Sequence, residues 1–293
     1  MRHHFADFLD RTEDYWTIVP NDERYSYSLD KTYQNKNDVK IATISKDDKN
    51  WKQIFDFPNI EEITLHEPNK EQIESIRNLK QIKRLRISFL RTNDIEFIGN
   101  LQNLEELVLE YVSGFSDLSP LKNLKKLKSL HFENLRKVSN FDGLRGIESL
   151  KYLYIDGTLD WNQPIESFLF LEGILNLEVL ALGFIENKTE YPAFLPVFKL
   201  KKLKKIKIGM ATVATKEYAF LETALPNVKC CSFSDTTWTP TYQINEGFIE
   251  FIGKGRRRLS QNNPNAQEKI EDFIKEYDLY KVEALETLKN YFR

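Results

Sequence analysis

The sequence predicts an α/β solenoid, in which short repeated units stack around one continuous core. Three observations predict it. The pattern Φxx-Φ-x-Φ, where Φ is apolar, recurs eight times at spacings of 22 to 27 residues. Most occurrences follow apolar residues placed nine, six and three positions upstream. The 293 residues also reach the size at which single compact cores stop growing, a limit that a stacked array avoids.

The end of each pattern, Φ-x-Φ, has the two-residue period of a β-strand. The eight patterns begin at Ile60, Ile82, Leu104, Leu127, Leu150, Leu177, Leu203 and Val228. The first, fourth and sixth residues of each pattern are expected to face the core. The second, third and fifth then face outward, and parallel strands placed side by side line a concave surface with them.

The upstream apolar residues predict the arms that return the chain to the next strand. Their step of three, as in Ile95, Ile98 and Leu101, fits tight 3₁₀ turns rather than an α-helix. Before Val228 the spacing of Tyr218 and Leu221 is helical. We therefore expect α-helical last arms, and we attribute the greater length of the 25- to 27-residue units to them.

The same upstream offsets occur once more, before the first pattern. Trp51, Ile54 and Phe57 precede Ile60 in this way. They predict a ninth rung, whose strand is the run 39–44. The solenoid is thus expected to span residues 39–234 with about nine rungs.

Both ends of a solenoid expose apolar surface unless another element covers it. Residues 1–38, which contain the strand-like run Tyr15–Val19, are predicted to form an N-terminal cap. Residues 235–293 are predicted to form a C-terminal cap, with an amphipathic helix over 264–292 and a capping box formed by Asn265 and Glu268. Apolar residues place one stripe on this helix, namely Ile270, Phe273, Ile274, Tyr277, Leu285, Leu288 and Phe292. The alternative is a helix that reaches a separate partner.

The stretch Phe115-Ser-Asp-Leu-Ser-Pro-Leu-Lys-Asn-Leu124, followed by Leu127, resembles the leucine-rich-repeat family. The similarity is greatest to its 22-residue internalin-like and SDS22-like subclass, and it covers about Val39 to Ser234. The resemblance implies a curved solenoid with parallel strands inside the curve, 3₁₀ and helical arms outside, and protein binding by the concave face.

The sequence departs from the family where an Asn normally follows each strand by three residues. Those positions hold Pro68, Leu90, Val112, Leu135, Thr158, Ile185, Ala211 and Thr236. The buried ladder of side-chain amides is therefore expected to be absent, and this turn is expected to be packed mostly with apolar side chains.

Charges alternate between the first rungs at the outward positions. Glu61 and Glu62 are followed by Lys83 and Arg84, and these by Glu105 and Glu106. Because neighbouring strands lie about 4.8 Å apart, mutual neutralisation is the structural interpretation. Discrimination between partners is the functional alternative.

The middle rungs place aromatic and small apolar groups outward. Tyr and Arg side chains in a concavity commonly carry interface energy, although outward Tyr also favours strands for structural reasons. The predicted partner-binding residues are Arg84, Arg86, Glu106, Tyr111, His131, Tyr152, Tyr154 and Phe184.

Two basic stretches require separate interpretation. In Lys199–Lys207 the residues Leu200, Leu203 and Ile206 keep the core register, so the lysines are interpreted as solvated positions of one rung. Gly253–Arg258 is interpreted as a solvated turn. Phosphate or acidic-partner contact is the alternative for Gly253–Arg258.

The residue patterns that support chemistry are not found. The sequence has no HExxH, CxxC, GxGxxG, P-loop or GxSxG motif, so no metal, cofactor or enzymatic activity is expected. His3 and His4 form a poor metal site. Cys231 is expected at an inward rung position and Cys230 on the concave side. Two adjacent cysteines form no disulfide framework and suit a reducing compartment.

The predicted function is non-catalytic binding of another protein by the concave face. The expected context is a cytosolic inhibitor or immunity-type protein, monomeric when free and without membrane attachment. The alternatives are an SDS22-like regulatory subunit of an enzyme and nucleic-acid binding through Lys199–Lys207 or Arg256–Arg258. With 42 Lys and Arg against 44 Asp and Glu, bulk nucleic-acid binding is disfavoured.

Overall fold

In a computed structural model, the structure describes residues 9, 11, 15–230 and 241–291. The strands are β1 (Ile41–Ser45), β2 (Glu62–His66), β3 (Arg84–Ser88), β4 (Glu106–Glu110), β5 (Ser129–Glu133), β6 (Tyr152–Asp156), β7 (Gln163–Ile165), β8 (Val179–Gly183), β9 (Ile185–Asn187), β10 (Lys205–Ile208), β11 (Tyr242–Asn245), β12 (Phe248–Phe251) and β13 (Leu259–Ser260). The α-helices are α1 (Lys70–Ile76), α2 (Thr215–Ala224) and α3 (Ala266–Tyr291).

One parallel sheet runs through the solenoid in the order β1-β2-β3-β4-β5-β6-β8-β10. In the patterns that begin at Ile60 through Leu203, the fourth residue lies beside its counterpart on the neighbouring strand, as Leu107 does with Leu85 and Leu130. These three leucines are 0% exposed. The register inferred from the sequence is therefore confirmed, and β1 confirms the ninth rung because Ala42 pairs with Ile63.

The arms confirm the expected 3₁₀ turns in most units. They lie at Trp51–Asp56, Ile98–Asn100, Ser119–Asn123, Asp142–Leu144, Leu169–Gly173 and Leu195–Lys199. The second arm differs, because it is the α-helix α1. Asn69 and Gln72 form a full capping box at its start, and this local hydrogen bonding favours an α-helical first turn.

The longer units have two different causes. The α-helical arm expected before Val228 is present as α2, in which Tyr218 and Leu221 are fully buried. In the two preceding units the expectation is wrong, since their arms are 3₁₀ turns. Their additional residues form the two-stranded parallel sheet of β7 and β9.

The turn after most strands is packed as the sequence predicts, but Ala211 is exposed and Thr236 lies outside the described residues. Leu90, Val112, Leu135 and Ile185 are all buried there. One side-chain amide does connect neighbouring units, because Gln163 is 0% exposed, accepts the Leu135 N–H at 2.9 Å and donates to the Val138 carbonyl at 2.6 Å. Buried backbone groups are thereby satisfied without an amide ladder.

The last described rung differs from its prediction by one residue. The Lys229 N–H donates to the Lys204 carbonyl at 2.9 Å, and Lys229 forms a bridge with Lys205. Cys230 therefore takes the inward position opposite Ile206 and is 1% exposed. The expectation of a concave-facing Cys230 is wrong, while Cys231 lies outside the described residues.

The C-terminal elements pack against the end of the solenoid. Helix α3 contacts α2 along its length, and Tyr277 donates to Glu222 at 2.8 Å. Phe273, Tyr277 and Leu288 are buried as the stripe predicts, but Leu285 is 48% exposed. At the helix start the Asn263 side chain accepts the Asn265 N–H at 2.9 Å. Phe292 lies outside the described residues.

The N-terminal residues follow two courses. Leu29 is fully buried, and its N–H donates to the Thr43 carbonyl at 3.1 Å, so residues around it cover the open edge of β1. Residues 15–19 instead cross the concave side of the sheet. Trp16 and Ile18 form a second apolar cluster there with Leu9 and Val108.

Candidate functional site

The strands place their outward side chains in three rows across the concave side. The first row is Glu62, Arg84, Glu106, Ser129, Tyr152, Val179 and Lys205. The second row is Thr64, Arg86, Val108, His131, Tyr154, Ala181 and Lys207. The third row is His66, Ser88, Glu110, Glu133, Asp156, Gly183 and Gly209.

Charged groups neutralise one another between neighbouring rungs. Lys83 lies 2.9 Å from Glu61, and the Arg84 Nε lies 2.6 Å from Glu62. Lys128 lies 2.6 Å from Glu105. The alternating charges thus form ion pairs along the sheet, as the structural interpretation predicts.

Residues 15–19, called here the N-terminal strap, run across the strands in the direction opposite to the rung order. The Thr17 N–H donates to the Glu106 carboxylate at 2.7 Å, and the Ile18 N–H donates to it at 3.2 Å. The Val19 N–H donates to Glu62 at 2.7 Å. Carboxylates on two rungs therefore hold the backbone of this segment through charge-assisted hydrogen bonds.

The side chains of the strap fill an aromatic pocket on the middle rungs. The Trp16 ring centroid lies 6.1 Å from that of Tyr152 and 6.4 Å from that of Tyr154. Tyr15 lies 4.5 Å from Tyr152, and the Tyr15 carbonyl accepts the Ser129 hydroxyl. Trp16 is 1% exposed, so the pocket encloses almost its whole indole.

The eight predicted site residues divide into two groups. Six of them lie in the rows that the strap crosses, namely Arg84, Arg86, Glu106, His131, Tyr152 and Tyr154. Three of them do not line an open surface, because Arg86 and His131 are 0% exposed and Glu106 is 8% exposed. Arg84, Tyr152 and Tyr154 are half-buried, and partner contact by these six residues stays a prediction. Tyr111 and Phe184 lie at the rim and are half-buried. Their contact with a partner stays a prediction.

Burial changes the ionisation of the groups beneath the strap. It raises the pKa of Glu106 despite the hydrogen bonds from Thr17, and it lowers the pKa of His131 well below its ordinary value, with the Arg86 charge acting in the same direction. Burial also raises the pKa of Asp156 to about 7, and a hydrogen bond from Tyr154 opposes that rise. His131 is consequently neutral at pH 7.

Arg86 and Glu110 form a fully buried ion pair within this region. Their Nε and Oε1 atoms are 3.6 Å apart, and both side chains are 0% exposed. Glu133 and Asp156 follow Glu110 on the next two rungs of the third row. The guanidinium of Arg86 and the carboxyl groups of Glu110, Glu133 and Asp156 are thus all buried on the concave side of the sheet.

At the rim, the residue after the third row has a left-handed backbone on five rungs. Its φ is 49° at Glu67, 57° at Phe89, 54° at Tyr111, 56° at Asn134 and 39° at Phe184. This conformation is unfavourable for aromatic residues. Phe89 and Tyr111 nonetheless stack with centroids 4.8 Å apart, so the repeat aligns aromatic rings along the rim.

A cavity of ≈ 580 Å³ lies by the first arms, lined mainly by polar side chains including Arg77 and Asp94. A second one of ≈ 610 Å³ lies beyond Tyr154, at the ends of β6, β8 and β10. Sequence reasoning missed this second cavity. Its signal was present, because the register shows the third row changing from acidic side chains to Gly183 and Gly209.

The basic stretches are explained by packing and ion pairs. Leu200, Leu203 and Ile206 are buried, which confirms that Lys199–Lys207 keeps the core register of one rung. Lys199, Lys201, Lys202 and Lys204 are exposed, whereas Lys205 and Lys207 are half-buried. The turn that contains Arg256 and Arg258 is not fully solvated as expected, because both side chains form ion pairs. Arg256 binds Glu276 at 2.5 Å and Arg258 binds Glu250 at 2.6 Å.

The described part of the chain holds neither a cluster of metal ligands nor a membrane-spanning helix. Within residues 15–230 and 241–291, no three His, Cys, Asp or Glu side chains are grouped as metal ligands. None of the helices described is long and apolar enough to cross a membrane. His3 and His4 lie outside these ranges.

Comparison with known proteins gives structural similarity only. No family model matches the sequence, and no curated protein matches it. An internalin (InlF) from Listeria monocytogenes is 20% identical with a TM-score of 0.51, over 72% of this chain and 62% of the internalin. The chain thus spans less than two thirds of that protein.

Two further structures have lower scores. A second internalin from Listeria monocytogenes is 22% identical with a TM-score of 0.40, over 52% of this chain and 63% of its own. A leucine-rich-repeat protein from Leptospira interrogans is 19% identical with a TM-score of 0.31, over 68% of this chain and 67% of its own. The structural similarity to InlF and the repeat geometry described above show that the chain has the fold of a leucine-rich-repeat solenoid.

Proposed function

We propose that this chain is a non-catalytic protein-binding module that takes an extended polypeptide on its concave side. One observation carries the proposal: the sheet already holds the N-terminal strap in this way. Carboxylates accept the N–H groups of Thr17 and Val19, and an aromatic pocket encloses Trp16. Backbone hydrogen bonds combined with side-chain pockets are a common mode of peptide recognition.

In this proposal a segment of the partner takes the place of the strap. The six predicted residues beneath the strap then contact the partner, and Tyr111 and Phe184 contact it at the rim. The strap lowers the apparent affinity, because only molecules in which it has left the sheet are competent to bind.

Photo-crosslinking in the source cells tests the proposal. Benzoylphenylalanine in place of Tyr111 is expected to give adducts with one protein, identified by mass spectrometry. The matched control places it at Phe55, which is 44% exposed on the arm side of the solenoid. Equal adducts at both positions, or no protein adduct at Tyr111, would contradict concave-side binding.

The finer proposal is that the partner is a toxin or enzyme that the solenoid inhibits in the cytoplasm. A curved sheet can wrap a convex domain and cover its active site. The two cysteines of the chain, adjacent at Cys230 and Cys231, form no disulfide framework and suit a reducing compartment. Co-expression with the product of each neighbouring gene tests this role, and restored growth beside a toxic product is the expected result.

A further inference from the structure

We infer that the cavity beyond Tyr154, called here the distal cavity, binds an apolar side chain from an acidic segment of a partner protein. This inference rests on the proposed protein-binding function and names the chemistry of the partner. The distal cavity is separate from the aromatic pocket that encloses Trp16, although Tyr154 contributes to both, because the rest of its wall comes from the ends of β6, β8 and β10 and the residues after them.

The distal cavity lies where the third row loses its side chains. This row holds Glu110, Glu133 and Asp156 on three rungs and Gly183 on the next, and Gly209 follows the end of β10. The Asp156 carboxylate fills the space beside Gly183, 2.5 Å from where a Cβ atom would lie. The space beside Gly209 stays open, since only the Thr212 hydroxyl, at 3.2 Å, lies close to where its Cβ atom would be.

The wall of the distal cavity is suited to an apolar group. Leu182, Phe184, Ile185 and Met210 contribute to it. Its volume of ≈ 610 Å³ lies within the roughly 300–1,000 Å³ of typical ligand sites. This is room for an aromatic side chain together with the backbone that flanks it.

The charged side chains at the distal cavity indicate which residues flank the apolar side chain of the bound partner segment. Lys207 and Lys254 line it, and Lys254 is exposed. Like charge beside these lysines is disfavoured and opposite charge is favoured. An acidic residue on each side of the apolar one therefore complements the two ammonium groups.

Asp156 supplies the hydrogen-bonding group. Its side chain lines the cavity and is 1% exposed, and its Oδ1 atom has no hydrogen-bond partner. Because burial raises the pKa of this carboxyl to about 7, it is half protonated at neutral pH, and its ionised form is costly unless a further donor reaches it. A backbone N–H of the bound segment would satisfy it, as the Thr17 N–H satisfies Glu106.

Three synthetic peptides test the inference by NMR on the full chain. Acetyl-Glu-Phe-Glu-amide is expected to shift the methyl signals of Leu182, Ile185 and Met210. Acetyl-Glu-Ala-Glu-amide lacks the ring, and acetyl-Lys-Phe-Lys-amide reverses the charge. Each is expected to bind about tenfold more weakly than the first, since either the apolar contact is lost or two attractive charge pairs become repulsive.

Two variants locate the binding. Gly209→Leu fills the cavity, with its Cβ 3.2 Å from the Thr212 hydroxyl, and is expected to abolish the shifts. Lys254→Glu is expected to weaken binding severalfold, whereas Arg257→Glu, the same charge change in the same loop, is expected to leave it unchanged. Both charge variants alter exposed residues, so the test survives if Gly209→Leu fails to fold.

Two results would overturn the inference: no methyl shift with the acidic aromatic peptide, or equal binding of the three peptides. A protein adduct at Tyr111 without peptide binding leaves the proposed function standing and removes the distal cavity from it. Peptide binding without any protein adduct at Tyr111 supports the distal cavity as a binding site but contradicts the proposed function.

Discussion

Individual buried carboxyl groups make the stability of this protein depend on pH. Glu217 is 2% exposed, and its Oε1 atom accepts the Ala193 N–H at 3.0 Å. Burial raises its pKa from 4.5 to about 7. Because the folded pKa lies above the unfolded one, the protonated form stabilises the fold. That contribution is complete below pH 4.5 and is lost as the pH rises through 7.

Glu217→Gln should remove this pH dependence, since the amide keeps an acceptor oxygen and does not ionise. The free energy of unfolding of the wild type relative to Glu217→Gln is expected to fall by about 3 kcal/mol between pH 4.5 and 8. Urea denaturation at several pH values measures this difference. Glu148→Gln, at an exposed position, is the control. A difference that stays constant over this range would contradict the assignment.

At the scale of elements, the N-terminal strap and the solenoid are coupled through one indole. Trp16→Ala should release much of the strap, because deletion of a buried Trp side chain costs about 3–5 kcal/mol. Tyr152, which now stacks on Tyr15 with centroids 4.5 Å apart, is then expected to react faster with a phenol-modifying reagent. The reaction rate at Tyr152 measures the release.

The control for this prediction is Trp51→Ala. Trp51 is 6% exposed in the first arm, on the opposite side of the sheet, so its loss destabilises the protein without freeing the strap. Unchanged reactivity of Tyr152 in Trp16→Ala would show that the aromatic pocket does not hold residues 15–19.

The elements differ in how far the sequence predicts them. The rungs were predictable because Leu85, Leu107 and Leu130 repeat at near-constant spacing, and every rung has the same packing requirement. The sheet of β7 and β9 was not predictable, since it lies between repeats. The contact of Thr17 with Glu106 was not predictable either, because these residues are 89 positions apart and neither belongs to a pattern that specifies the other.

The same contrast applies to the candidate site. The rows of outward residues followed from the register, so the positions of Arg86 and Tyr154 were predictable. Their burial was not, because it depends on a segment outside the repeat. The distal cavity depends on Gly183 and Gly209, whose missing side chains are visible in the sequence only after the rungs are aligned.

Over the whole molecule, 42 cations nearly balance 44 anions, and the charges that alternate on the first rungs form ion pairs along the sheet. Glu105 lies between Lys83 and Lys128 in the aligned rungs, and Lys151 follows Lys128, so Glu105→Lys would place four lysines side by side. The free energy of unfolding is expected to fall by about 1 kcal/mol at low salt, because exposed pairs have this magnitude. Added NaCl should recover part of the loss through screening.

Lys128→Glu in the Glu105→Lys background restores an opposite-charge pair between these two rungs and is the internal control. Thermal unfolding of both variants at low and high NaCl measures the effect. If the double variant is no more stable than Glu105→Lys, charge sorting does not act along the sheet.

The concave side holds a polypeptide through carboxylates and an aromatic pocket, and the strap is its present occupant. Hydrogen exchange of the Thr17, Ile18 and Val19 amides in the free protein tests this mode of binding. We expect these three amides to exchange orders of magnitude more slowly than unstructured peptide, and to lose that protection in Trp16→Ala. Exchange of the wild-type amides at the rate of an unstructured peptide would show that the carboxylates and the aromatic pocket do not hold the strap.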